Sequence, residues 1–256
     1  MAARDLALGG SACSSQLAGM ITLYSHPLSL FAAKVRIALA EKALPYTLET
    51  VPLDAARGYH PKHPQVVRHN PKQQVPVLLH DELALYDSTV ILEYLEDLAP
   101  EPALYPRSPQ LRARCRLLEL EADEVAFAPV RALINLRYAT QSGADDDPVV
   151  RAQAASAFEA SCARLAQHLG ASDFLCERFS VADFAHFLVV TYGLSFGLLV
   201  PAQGGLQAWY ARIAERPSIA AELASMLEAA RAFGALQPGA AQLATAGSTG
   251  RQPLDR

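Results

Sequence analysis

The chain has no closely spaced cysteine pair, no long basic run and no apolar stretch at its start. Its four cysteines, Cys13, Cys115, Cys162 and Cys176, lie far apart without a CxxC motif. That usage points to a reducing, cytoplasmic setting and against a disulfide framework or a zinc site. Lys and Arg number 22 against 26 Asp and Glu, a net charge of −4. So mild a balance, with no basic cluster, leaves no electrostatic footprint for nucleic acid. His60, His63 and His69 fall in a proline-rich loop without a regular ligand frame, so no metal is expected there.

The first residues are small and polar, and Asp5 with Gly9-Gly10 breaks any signal-like apolar run. Residues 1–19 are read as a disordered extension, with the folded part beginning at Met20. The Ala/Gly/Pro/Gln-rich residues 234–256 are read as a disordered tail. From Phe184 to Ala211 there is no Lys, Arg, Asp or Glu. A membrane span needs ~20 mostly apolar residues, and His186, Thr191, Gly193, Ser195, Gly197 and Pro201 interrupt this one. A helix buried in a bundle is the expectation instead.

What is present follows a clear order. Ile21 to His26 is a short strand. The next segment, "SLFAAKVRIALAEKAL", repeats Leu30, Val35, Ile37, Ala38 and Leu39 at helical spacing, with Lys34, Arg36, Glu41 and Lys42 assigned largely to the outer face. Tyr46 to Leu53 is a second strand, parallel to the first through a right-handed crossover. A polar loop with a short helix comes next. "VPVLLH" and "LALY" form an antiparallel hairpin, and Asp87 to Leu98 is a helix with Val90, Ile91, Tyr94, Leu95 and Leu98 inward. The proline-rich "APEPALYPRSP" reads as a linker. Beyond it no strand pattern remains, only helical segments near Pro109–Thr140, Pro148–Leu169 and Val181–Leu194 and two shorter ones after Gly205 and Pro217. The expected organisation is an α/β domain at 20–99, a linker at 100–109 and an all-helical domain at 110–233.

Two details in "QVPVLLHDELALYDSTVILEYLED" bear on function. Proline donates no ladder hydrogen bond, so Pro76 is either an edge feature or a cis proline that turns the Val75 backbone outward. Asp87-Ser88 opens a helix, whose bare N–H groups and partial positive charge attract a carboxylate. Ser88 adds a hydroxyl, and Asp87 can accept from an ammonium. Taken alone, the pair is better explained by plain N-capping.

With these segments in hand, the chain from about Met20 to Gly234 resembles the cytosolic glutathione transferases, in the manner of their serine-type bacterial, tau and theta-like members. The resemblance rests on "LYSHPLSLFAAKVRIALAEKAL", "NPKQQVPVLLHDELALYDSTVILEYLED", the proline-rich linker and "FLCERFSVADFAHF". It implies a thioredoxin-like α/β domain that binds glutathione and an all-α helical domain that lines a second pocket. By resemblance Val75 pairs with the cysteinyl backbone of glutathione, Pro76 is cis, and Asp87 and Ser88 hold the γ-glutamyl end. Gln74 is the best match for the glycine end, with Lys62, His63 and His69 as further candidates.

The implied chemistry needs a thiolate, and a free thiol with a pKa of ~8.5 is mostly protonated at neutral pH. Ser29, at the start of the first helix, is the expected catalytic hydroxyl, ahead of Tyr24 and then Ser25. The family's serine precedes Pro-Phe, whereas here Leu30-Phe31 follows. Phe127, Leu133, Leu136, Tyr138 and Phe196 are candidates for the second pocket, although packing would place the same residues in a core. "FSVAD" reads as a structural capping box. The resemblance implies transfer of alkyl or aryl groups to glutathione, as in detoxification, with glutathione as co-substrate, a hydrophobic electrophile as partner, and a homodimer. A glutathione-dependent isomerase, dehalogenase or peroxidase, a non-catalytic regulatory binder, or a scaffold that binds no glutathione are the alternatives.

Overall fold

The computed structural model describes residues 19–200 and 205–233. The expected extension, Gly19 apart, and the expected tail lie outside the described residues. The first half runs β1 (Ile21–Ser25), α1 (Leu30–Glu41), β2 (Thr47–Thr50), α2 (Pro64–His69), β3 (Val77–His80), β4 (Leu83–Tyr86) and α3 (Ser88–Leu98). The sheet order is β2-β1-β3-β4. β1 pairs parallel with β2 and antiparallel with β3, which pairs antiparallel with β4. The parallel pair and the hairpin are as the sequence patterns predicted, and the layer is the thioredoxin-like one that the resemblance implied.

The second half is helical throughout its described residues. It comprises α4 (Pro109–Glu121), a π-helical turn (Ala122–Ala126), α5 (Phe127–Gln141), α6 (Pro148–Leu169), α7 (Val181–Ser195), α8 (Leu206–Ala214) and α9 (Pro217–Ala232). The single long helix expected over Pro109–Thr140 is therefore divided by a π turn. The charge-free stretch becomes α7, which is buried on nearly every side. No helix among the described residues is long and apolar enough to cross a membrane. Where α7 crosses α6, a Cβ on Gly193 would meet the Phe158 ring at 2.3 Å, so glycine permits the close approach.

Asp183 fixes the start of α7. It accepts from the Ser180 N–H and hydroxyl, both at 3.0 Å, from the Leu175 N–H at 2.9 Å and from Trp209 Nε1 at 3.0 Å. The capping box forms as the sequence pattern predicted, and it also ties in α8 through Trp209. The proline-rich segment before α4 is not a loose connector. Leu104 and Tyr105 are buried, and the Leu104 carbonyl accepts from the Val181 N–H at 3.0 Å.

Helix α1 departs most from its sequence reading. Lys34, Arg36 and Lys42 are buried, not outward, because α1 lies between the sheet on one side and α7 and α9 on the other. A single amphipathic stripe presumes one packed face, and here there are two. Each cation finds a carboxylate on a different element. Lys34 Nζ reaches Glu119 Oε1 at 2.8 Å and Asp123 Oδ2 at 2.6 Å. Arg36 pairs with Glu222 of α9 at 2.5 Å, and Lys42 pairs with Glu96 of α3 at 2.7 Å. Glu41 receives Arg216 at 2.7 Å. Val90 of α3, expected inward, is half exposed, while Ile91 and Leu95 carry the packing.

Lys34 is fully buried. Burial pulls its ammonium down, but Asp123 and Glu119 outweigh that and hold it above the ordinary lysine range. Removing one partner of a buried ion network leaves uncompensated charge, at a typical cost of about 3–5 kcal/mol. Lys34→Met should therefore lower stability by that order in urea unfolding, whereas Arg107→Ala, in an exposed pair with Glu101, should leave the midpoint unchanged. Equal midpoints for the two variants would contradict this account.

Candidate functional site

A cleft of about 890 Å³ opens between the sheet layer and the helices. Ser29, Gln74, Val75, Pro76, Asp87 and Ser88 all line it. They come from three loop ends at one edge of the sheet: the β1–α1 junction, the entry to β3 and the start of α3.

Ser29 caps α1 from an extended backbone, its Oγ accepting the Ala32 N–H at 3.2 Å. The Tyr59 hydroxyl, from the β2–α2 loop, interacts with it. Burial pushes Tyr59 up to about 12, with the Ser29 contact pulling the other way. Of the three hydroxyls considered for the thiol, Ser29 alone lines the cleft. Tyr24 faces His63, with ring centroids 4.9 Å apart, in a small core with Val51, Val66 and Val75. Burial and then Glu49 raise the Tyr24 phenol. Ser25 is buried and bonded to Arg36.

The Val75-Pro76 bond is cis. The β3 ladder begins at Val77, so Val75 stands outside it, and it lines the cleft. Asn70, which the sequence reading passed over, fastens this loop. Its Nδ2 donates to the Gln74 carbonyl at 2.6 Å and its Oδ1 accepts the Lys72 N–H at 2.9 Å. Lys62 lines the cleft and donates to the Gln73 carbonyl at 3.2 Å. His63 instead caps α2, and neither it nor His69 lines the cleft. No cluster among the described residues has the makings of a metal site.

Asp87 holds φ at +75°, a region that non-glycine residues enter at a cost. In that pose its Oδ1 caps the Thr89 N–H at 3.1 Å, and its Oδ2 lies 3.8 Å from Lys72 Nζ. Ser88 is buried beside it. Asp123, in the π turn, is a second acid that sequence reasoning missed. It is 7% exposed and lines the cleft; Oδ2 holds Lys34, while Oδ1 has no hydrogen-bond partner. Burial pushes its carboxyl up against the pull of Lys34. An i→i+5 turn leaves no mark in hydrophobic periodicity, so no sequence signal singled out Asp123.

The outer part of the cleft is walled by α5, the end of α7 and α9. Phe127, Tyr138 and Phe196 line it as expected. Leu133 and Leu136 do not; they are buried in the helical layer, the packing outcome for residues at that spacing. Phe127 meets Phe31 edge to face, with centroids 5.3 Å apart. One end of the cleft thus offers two side-chain-capped helix starts and acids, and the other offers aromatic and aliphatic surface.

Comparison with known proteins agrees with this architecture. Residues 28–98 match the model of the glutathione S-transferase N-terminal domain. A glutathione S-transferase from Methylobacterium radiotolerans, solved in complex with glutathione sulfonate, superposes with a TM-score of 0.66 at 33% identity, over 79% of this chain and 94% of that one. A stringent starvation protein A homolog of Coxiella burnetii is 40% identical over 99 residues, 39% of this chain and 44% of its own. Rattus norvegicus maleylacetoacetate isomerase is 35% identical over 130 residues, 50% of this chain and 57% of its own. The chain spans about half the length of the curated relatives it matches. It belongs to the glutathione S-transferase family.

The α1 start gives a test that needs no ligand. A thiol at a helix N-terminus is acidified below ~8.5, so Ser29→Cys should gain a cysteine that iodoacetamide alkylates well below that pH, after subtraction of the parent protein's rate. A thiol titrating at or above the free value would mean that the field of α1 does not reach the cleft.

Proposed function

We propose that the protein activates glutathione for attack on small electrophiles, as a glutathione transferase of alkyl or aryl groups. The observation that carries this reading is the gathering of Ser29, Val75 and Asp87-Ser88 along one cleft. In it, the Val75 N–H and carbonyl pair with the cysteinyl backbone, next to cis Pro76. The γ-glutamyl carboxylate takes the start of α3 with the Ser88 hydroxyl, and its ammonium takes Asp87 and the unpartnered Oδ1 of Asp123. Gln74 and Lys62 serve the glycine end.

The sulfur then lies by the start of α1, where Ser29 donates its proton in place of its contact with Tyr59. A donated hydrogen bond and the helix field both favour the thiolate. The thiol proton leaves to solvent. The sulfur forms a bond to the electrophilic carbon, and the leaving group departs with its electron pair. Positioning and electrostatics supply the acceleration. The family match supports glutathione as co-substrate in a detoxifying role, and the four widely spaced cysteines support a reducing, cytoplasmic setting. The domain limits at 20–99 and 110–233 belong to the same reading.

The stringent starvation relative favours a second reading, a regulatory binder of the same fold. Calorimetry and turnover separate the two. The parent protein should bind glutathione and conjugate 1-chloro-2,4-dinitrobenzene. Ser29→Ala should keep binding but lose about 10- to 100-fold in kcat/KM, as for a charged hydrogen bond, with the bound thiol titrating higher. Asp87→Ala should lose binding. Glutathione binding with no turnover of any electrophile would favour the regulatory reading, and no binding would end both.

A homodimer is part of the proposal. Val90 on α3 and Leu117, Leu120 and Val125 on and after α4 are exposed apolar residues. Glu93–Arg116 and Glu93–Arg112 pairs hold those two helices side by side. Leu117→Glu should convert a dimer into a monomer in sedimentation, and a parent protein that sediments as a monomer would refute the assignment.

A further inference from the structure

We infer that the outer half of the cleft is built for an electrophile that carries a carboxylate, with Arg131 of α5 as its anchor. The inference rests on the glutathione reading above and names the class of its second substrate.

Arg131 lines the cleft. Its guanidinium lies 5.2 Å from the centroid of the Phe127 ring, and Nη2 donates to the Asp123 carbonyl at 3.4 Å. No carboxylate among the described residues pairs with it, in contrast to Lys34, Arg36 and Lys42, which are each matched. It is an arginine held in place and left with donors to spare. A planar guanidinium has five donors in a fixed fork suited to a carboxylate, and its two anchors reduce the freedom that binding would remove.

The location fits the second substrate. The Phe127 ring beneath Arg131 meets Phe31, which follows Ser29 by two residues. Arg131 therefore sits between the acid end, where it donates to the Asp123 carbonyl, and the aromatic pair that leads back to Ser29. One and two turns further along α5, Asn135 and Tyr138 line the same wall with further donors. The facing wall is apolar, with Leu223, Met226 and Phe233. The carbon skeleton of an electrophile would lie on that wall and its carboxylate on α5.

Charge points the same way. Five cations line the cleft, Arg57, Lys62, Lys72, Arg131 and Arg137, against three carboxylates, Asp87, Asp123 and Glu124. Lys34, behind the lining, is shared between Asp123 and Glu119. The chain as a whole carries −4, so the cleft is positive within a negative protein. Such a cleft concentrates anions.

The test uses two matched conjugates, S-(4-carboxybenzyl)glutathione and its methyl ester, titrated by calorimetry alongside glutathione itself. No turnover is required. The parent protein should bind the acid about fivefold more tightly than the ester, the scale of a single partly exposed charge pair, and added salt should shrink that ratio. Arg131→Met should bring the acid down to the ester, Arg131→Lys should keep part of the preference, and Arg107→Met, far from the cleft, should keep all of it. Equal binding of acid and ester by the parent, or a preference that survives Arg131→Met, overturns the inference while leaving the glutathione reading intact. If neither conjugate nor glutathione binds, the glutathione reading fails and the inference with it.

Discussion

Helix α1 carries the charges on which the two halves of the chain depend. A helix between two layers has no solvated face for its charged residues, so each must be matched inside. Lys34 is matched by α4 and the π turn, Arg36 by α9, Lys42 by α3 and Glu41 by Arg216. Buried pairs of this kind are poor sources of net stability, since desolvation offsets most of their attraction. Their value is register. An apolar interface tolerates sliding, but a buried ammonium that must meet two carboxylates fixes how the helical layer sits on the sheet. Lys42 adds bonds to the Ala99 and Pro102 carbonyls, fastening the connecting segment as well.

The cleft follows from that register. Its floor consists of three loop ends on the sheet layer, and its outer wall belongs to α5, α7 and α9. Direct ties across the seam also set its width: Tyr192 of α7 donates to the Leu28 carbonyl at 2.6 Å, one residue before Ser29. The β1–α1 junction is thus held from both sides. A hydroxyl meant to meet a sulfur atom needs placement of that quality, because hydrogen bonds weaken steeply with angle and distance.

Much of the fold was legible in the sequence because its signals are local. Strand alternation, helical spacing, the Ser180–Asp183 capping box and the Asp87-Ser88 helix start each depend on a few adjacent residues. So does the resemblance in "QVPVLLHDELALYDSTVILEYLED", which named five residues that the structure brings to one cleft with Ser29. The failures share one cause. Lys34, Arg36 and Lys42 were assigned outward because periodicity describes one packed face and is blind to a second layer. Val90 was assigned inward by the same stripe, which extends further than the neighbouring helices cover. Leu133 and Leu136 fit a pocket wall and a core equally well on spacing alone. Tyr59 and Asn70 reach the cleft through loop geometry, Asp123 through the π turn and Arg131 from the helix that follows it, and none of this is written in a hydrophobic pattern.

Asp123 joins the frame to the site. A π turn is rare and is found most often as a single turn inside an α-helix, as here between α4 and α5. Lys34 takes the Oδ2 of Asp123 at 2.6 Å. The same turn leaves Oδ1 buried without a partner, while its backbone carbonyl receives Arg131. One residue therefore meets the buried cation that sets the two layers, the acid end of the cleft and the arginine of its outer wall. An unpartnered buried carboxylate oxygen is costly, and that cost would fall when an ammonium fills the acid end.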